Sequence, residues 1–103
     1  MEFIEATAFT KHLYDYLTED EYAGFQNFLL NHPETGDIVP GSGGVRKIRW
    51  AMSGMGKRGG ARIIYYFKKQ DNEIWLLTIY GKRETENIPA HILKRIAKEI
   101  EHD

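Results

Sequence analysis

The sequence contains no cysteine. Disulfides, thiolate metal ligands and a thiol nucleophile are excluded together, which suits a reducing compartment. No membrane address is expected either. The N-terminal Met-Glu-Phe-Ile-Glu has no basic segment followed by an apolar run, and no stretch approaches the roughly 18 consecutive apolar residues of a membrane span. A cytoplasmic protein with no membrane partner is expected. Metal chemistry finds no ligand set: His12, His32, His91 and His102 lie far apart, no H-E-x-x-H occurs, and the basic third holds no carboxylate cluster. No serine triad is expected either, because Ser42 and Ser53 both fall in glycine turns that read as flexible.

A further absence is local. The 14 Lys and Arg and 15 Asp and Glu leave a net charge of −1, yet their distribution is uneven. Met1 to Asp37 holds one lysine and eight acids. Ile38 to Gln70 holds eight Lys or Arg and no acid, and the remainder has five cations and seven acids. Screening over roughly 10 Å makes distant acids count for little, so the middle third attracts a polyanion whatever the total charge.

What is present suffices for one domain over residues 1–103. The hydrophobic fraction of 42% and aromatic fraction of 13% support a packed core. Glu2 to Ala6 reads as a short strand, and Phe9, Leu13 and Leu17 at fourfold spacing mark one face of a helix. Thr18 with Glu21 has the form of a capping box, opening a second helix whose stripe Tyr22, Phe25, Leu29 ends before His32-Pro33. Glu34 to Gly44 reads as a loop. Three strands follow, Val45 to Met52, Ala61 to Lys69 and Glu73 to Tyr80, with Gln70-Asp71-Asn72 as a tight hairpin connection. Ile88-Pro89 then opens a closing helix with Leu93, Ile96, Ala97 and Ile100 on its apolar face. The expected architecture is α+β, in the order β-α-α-β-β-β-α, with a small twisted antiparallel sheet and helices packed over it.

Gly54-Met-Gly-Lys-Arg-Gly59 satisfies G-x-G-x-x-G, but a dinucleotide site needs a helix after those glycines, and Ala61 to Phe67 reads as strand. A Walker loop fails too, with Ala51 in place of the first glycine and Arg58 in place of Ser or Thr. No cofactor is therefore expected. Cations on a sheet remain. Alternation puts Lys47 and Arg49 on one strand face, Ile48 and Trp50 on the other, and Arg62 opposite Ile63, Tyr65 and Phe67 on the next strand. If the two strands pair, three cations share a surface. The turn cations Lys57 and Arg58 project beside it, and Lys82 and Arg83 follow the third strand. A merely solvated face is the alternative, but such faces mix signs, and here acids are missing over more than thirty positions.

Val39 to Phe67, VPGSGGVRKIRWAMSGMGKRGGARIIYYF, together with Leu-Leu-Thr-Ile-Tyr-Gly-Lys at 76–82, resembles the central motif of the RelE/ParE superfamily of bacterial toxins, in its HigB/RelE-like branch. The resemblance implies a small RelE-like domain that enters the ribosomal A site, cuts messenger RNA and thereby inhibits translation. It also implies a cognate helix-turn-helix, HigA-like antitoxin, with no homo-oligomer expected in its absence. The implied chemistry is metal-free attack of an RNA 2′-hydroxyl on the adjacent phosphate. Lys47, Arg49, Arg62 and Arg83 match the family's basic functional positions. Lys47 would be the base or a charge stabiliser, Arg49 and Arg62 a phosphate clamp, and Arg83 a stabiliser of charge at the scissile group. Arg46, Lys57, Arg58 and Lys82 would grip RNA or the ribosome. The C-terminal tyrosine of some members has no counterpart near Ile88 to Ala90, and Tyr66 or Tyr80 are the substitutes within reach. A ParE-like inhibitor of DNA gyrase and a non-catalytic RNA-binding module stand as alternatives, since one scaffold hosts several functions.

Overall fold

The computed structural model describes residues 1–50, 60–81 and 88–102. In chain order these form β1 (Glu2–Glu5), α1 (Thr7–Tyr16), α2 (Glu19–Asn31), β2 (Asp37–Ile38), β3 (Arg46–Trp50), β4 (Ala61–Lys68), β5 (Glu73–Gly81) and α3 (Ala90–Glu101). The strands make one five-stranded sheet in the order β1-β5-β4-β3-β2. Two apolar layers enclose it. One joins Phe9 and Leu13 of α1 and Tyr22, Phe25 and Leu29 of α2 to Ala61, Ile63, Tyr65, Ile74, Leu76 and Ile79 of the sheet, with Ile48 and Trp50 at its margin. The other joins Leu93, Ala97 and Ile100 of α3 to Val45, Ile64 and Leu77.

The start of α2 is the best specified of the helix ends. Glu21 N donates to Thr18 Oγ1 at 3.1 Å and Thr18 N donates to Glu21 Oε1 at 2.8 Å, so two otherwise orphaned donors are satisfied. Glu19, Asp20 and Glu21 in the first turn face the positive end of the helix dipole. At α3, Pro89 stands just outside the helix, and its carbonyl accepts from Ile92 N and Leu93 N at 3.0 and 3.1 Å. The β4–β5 connection is a 3-10 turn over Lys69–Asp71, closed by Asn72 in the left-handed region and by Lys68 Nζ on Asp71 Oδ2 at 3.0 Å. That ion pair raises the Lys68 pKa.

Three expectations need correction. The sheet is mixed rather than antiparallel: β1 runs parallel to β5, from Glu2 beside Glu73 to Glu5 beside Leu76. Residues 6–72 separate these two strands, so no hairpin sets their direction, and Glu2 N on Asn72 O and Ala6 N on Leu76 O extend the parallel ladder at 3.0 and 2.9 Å. Second, the segment read as a loop contains β2, which pairs Asp37 with Lys47 and Ile38 with Arg46. Two residues carry no alternation to read. Third, Ser42 does not lie in a flexible turn. It is fully buried, its Oγ donating to Val39 O at 2.6 Å and accepting from Val45 N at 3.0 Å, and so it organises the turn into β3.

One irregularity shapes the sheet. Ile64 lies opposite Thr78 but Tyr65 lies opposite Leu76, leaving Leu77 as an extra residue. This bulge reverses the alternation of β5, so Ile74, Leu76 and Ile79 all reach the α1/α2 layer although the last interval is three.

Candidate functional site

Pairing between β3 and β4 decides which cations meet. Directly opposite residues are Lys47 and Ile64, Ile48 and Ile63, Arg49 and Arg62, and Trp50 and Ala61. Opposite residues share a face. Because Ile48, Ile63 and Trp50 belong to the α1/α2 layer, Lys47, Arg49 and Arg62 lie together on the other face, the one that carries α3. The β4–β5 register adds Tyr80 across from Arg62 and Thr78 across from Ile64. Two rows result: Arg49, Arg62 and Tyr80 across β3, β4 and β5, and beside it Lys47, Ile64 and Thr78.

Spacing follows from sheet geometry. Opposite Cβ atoms stand about 5 Å apart and positions two along a strand about 7 Å. Arg49 and Arg62 are thus close enough to bind one phosphate, and Lys47 reaches the same group or its neighbour in an extended strand. Lys47 and Arg49 are exposed and Arg62 is half-buried. No acid among the described residues forms a salt bridge with Lys47 or Arg49. Like charges directly opposite destabilise a sheet by up to about 1 kcal/mol, so the Arg49–Arg62 pair is a cost to folding that an anion would offset. Behind β3 the strand is braced by aromatic packing: Trp50 sits 5.2 Å from Phe25 and 5.3 Å from Phe28 between ring centroids.

Arg62 has a further tether. Its Nη1 donates to Gly60 O at 3.3 Å, and Gly60 is buried with φ +76°, a conformation strained for any residue with a Cβ. Sequence reasoning passed over this carbonyl, because a glycine in a glycine-rich run carries no mark of the direction in which its oxygen points.

The remaining cations divide. Arg46 lies opposite Tyr65, on the α1/α2 face, and not with Lys47 and Arg49. Its Nη1 donates to Glu34 O and Gly36 O, each at 2.8 Å, and Nη2 lies 3.8 Å from Glu34 Oε2. It fastens the segment before β2. Lys68 is buried at the other end of β4. The sequence block is therefore not one surface. Lys57, Arg58, Lys82 and Arg83 lie outside the described residues. Trp50, Ala61 and Gly81 form the last row of the described sheet, next to Arg49, Arg62 and Tyr80.

The two candidate tyrosines also separate. Tyr66 donates to Glu101 Oε2 at 2.5 Å, tying the end of α3 to β4. Partial burial and then the carboxylate push its pKa up to about 12. This phenol has a packing role and stands four residues along β4 from Arg62. Beside it, Gly43, Lys94, Lys98 and His102 border an open groove of about 250 Å³ at the α3 C-terminus, where helix carbonyls disfavour anions. Tyr80, by contrast, belongs to the cationic row.

Among the described residues no group of three or more His, Asp or Glu is placed to hold a metal ion, and no helix is long and apolar enough to cross a membrane. No protein-family model matches the chain.

Proposed function

We propose that this protein is a ribosome-dependent mRNA endonuclease of the RelE-like kind, the cytoplasmic toxin of a type II toxin–antitoxin pair. The observation that carries the reading is the sharing of one sheet face by Lys47, Arg49 and Arg62. With the resemblance of the 39–67 and 76–82 stretches, that face reads as a phosphate site rather than a solubilising surface.

In the proposed reaction the 2′-hydroxyl oxygen forms a bond to the adjacent phosphorus and the bond from phosphorus to the 5′-oxygen breaks. The leaving 5′-oxygen takes a proton from water, so a cyclic phosphate and a free 5′-hydroxyl result. Lys47 takes the 2′-hydroxyl proton or stabilises the charge that develops, while Arg49 and Arg62 hold the non-bridging oxygens. Arg83 is assigned to charge at the scissile group by the resemblance alone. Metal-free chemistry, the helix-turn-helix antitoxin and the ribosome as partner belong to the same proposal. An acidic or amphipathic antitoxin segment is the natural complement of a cationic face.

In vitro translation with purified protein, with and without ribosomes, tests the proposal, cleavage positions being read by primer extension. Cuts inside codons only when ribosomes translate are expected. Intact transcripts, with DNA damage in expressing cells, would favour gyrase inhibition. RNA binding without any cutting would reduce the protein to a binding module.

A further inference from the structure

We propose that Tyr80 is a positioning residue of this site, holding the Arg62 guanidinium in place for a phosphate against the repulsion of Arg49. The inference rests on reading the face as a phosphate site. Arg62 occupies the middle of its row, with Arg49 opposite on β3 and Tyr80 opposite on β5. On one side stands a like charge at roughly 5 Å between Cβ atoms. On the other stands an aromatic ring, whose negative face attracts a cation, arginine most often.

The sheet is built to put that ring there. The extra residue Leu77 shifts the alternation of β5, so that Trp75 before the bulge and Tyr80 after it both belong to the α3 side, although an odd interval separates them. Regular alternation would not bring both to one face. Bulges are over-represented next to functional sites, where they bend the strand locally and re-aim a side chain. Tyr80 is half-buried and packs against the α3-side core, so its ring is held from behind. The bond from Arg62 Nη1 to Gly60 O restrains the same guanidinium. A clamp restrained in this way loses less freedom when it binds, which raises affinity without adding a contact to the ligand.

The test is a double-mutant cycle on the full chain, with binding of a fluorescein-labelled single-stranded RNA decamer followed by anisotropy. Tyr80→Met removes the ring and keeps apolar volume, and Tyr80→Leu repeats the change with a different shape. Each is expected to weaken binding about fivefold, the equivalent of one moderate cation–π contact. Tyr80→Phe restores the loss, because the ring and not the hydroxyl does the positioning. In an Arg62→Ala background the Tyr80 substitutions change nothing further, with thermal melts confirming that every variant is folded. Equal losses in both backgrounds, or a Tyr80→Phe loss as large as that of Tyr80→Met, would overturn the inference. Wild-type protein that fails to bind the decamer overturns the phosphate-site reading and this inference with it. Binding that follows the cycle in a protein that never cuts mRNA would instead remove the nuclease proposal and leave Tyr80's role standing.

Discussion

Removing one oxygen from Tyr65 should cost more stability than its size suggests. The residue is fully buried. Its hydroxyl accepts from Gly36 N at 3.0 Å and donates to Pro33 O at 3.0 Å, which joins the segment before β2 to the centre of β4. Burial raises the pKa of this phenol, so it serves as a neutral donor across the ordinary pH range. Tyr65→Phe deletes two hydrogen bonds and leaves a buried N–H and a carbonyl without their partner. At about 1 to 2 kcal/mol for each stranded group, the loss is about 3 kcal/mol, a large part of the roughly 5–15 kcal/mol that holds such a domain folded. Urea unfolding followed by the fluorescence of Trp50 and Trp75 measures it. With a slope of about 1.5 kcal/mol per molar, the midpoint falls by about 2 M at unchanged slope. Tyr22→Phe supplies the internal contrast, because Tyr22 donates at 2.7 Å to Glu5, an exposed residue that water can satisfy. A Tyr65→Phe shift no larger than that of Tyr22→Phe would refute the reasoning. Since the lost hydroxyl lies on the α1/α2 face, RNA binding at a temperature where the variant is folded should be unchanged.

Gly36→Ala should disturb the same junction from the opposite side. A Cβ there would stand 2.9 Å from Tyr65 Cε1 and 3.1 Å from Lys47 O, and neither a buried ring nor a paired strand can yield. A loss of about 1 to 3 kcal/mol is expected in thermal or urea unfolding, and wild-type stability would contradict it. Tyr66 supplies a pH prediction. Its folded pKa of about 12 lies above the ordinary tyrosine value of 10.0, so the folded state binds the proton more tightly. The stabilisation is complete below pH 10 and is lost as pH rises through 12. Discounted for the exposure of the pair to solvent, it is about 1 kcal/mol. Tyr66→Phe should remove that share of the alkaline loss, and an identical stability–pH slope in the variant would show that the raised pKa of Tyr66, from burial and from Glu101 together, contributes nothing.

Legibility in the sequence followed local chemistry. α2 could be read because both its ends are written, by Thr18 with Glu21 and by His32-Pro33, and its stripe Tyr22, Phe25, Leu29 is the stripe that is buried. The grouping of Lys47, Arg49 and Arg62 was legible because a period of two depends only on the backbone, once β3 and β4 were taken to pair. Arg46 was harder. Alternation sets it apart from Lys47, but the carbonyls of Glu34 and Gly36 that hold it are brought near by the fold. β1's direction was hidden because its partner is remote in the chain. The bulge was hidden for another reason: Ile-Trp-Leu-Leu-Thr-Ile-Tyr offers an apolar or β-forming residue at every position, so nothing marks Leu77 as the extra one.

The central claim is that function resides in three cations on one sheet face and not in positive charge at large. Single-turnover cleavage of mRNA on programmed ribosomes tests it, comparing Lys47→Ala, Arg49→Ala and Arg62→Ala with Lys69→Ala and Lys94→Ala, which remove the same charge elsewhere. Losses of about a hundredfold or more are expected for the first three, on the scale of removing a group that stabilises transition-state charge, with little change for the other two. Equal effects in both sets, or full cleavage after Arg62→Ala, would contradict the account.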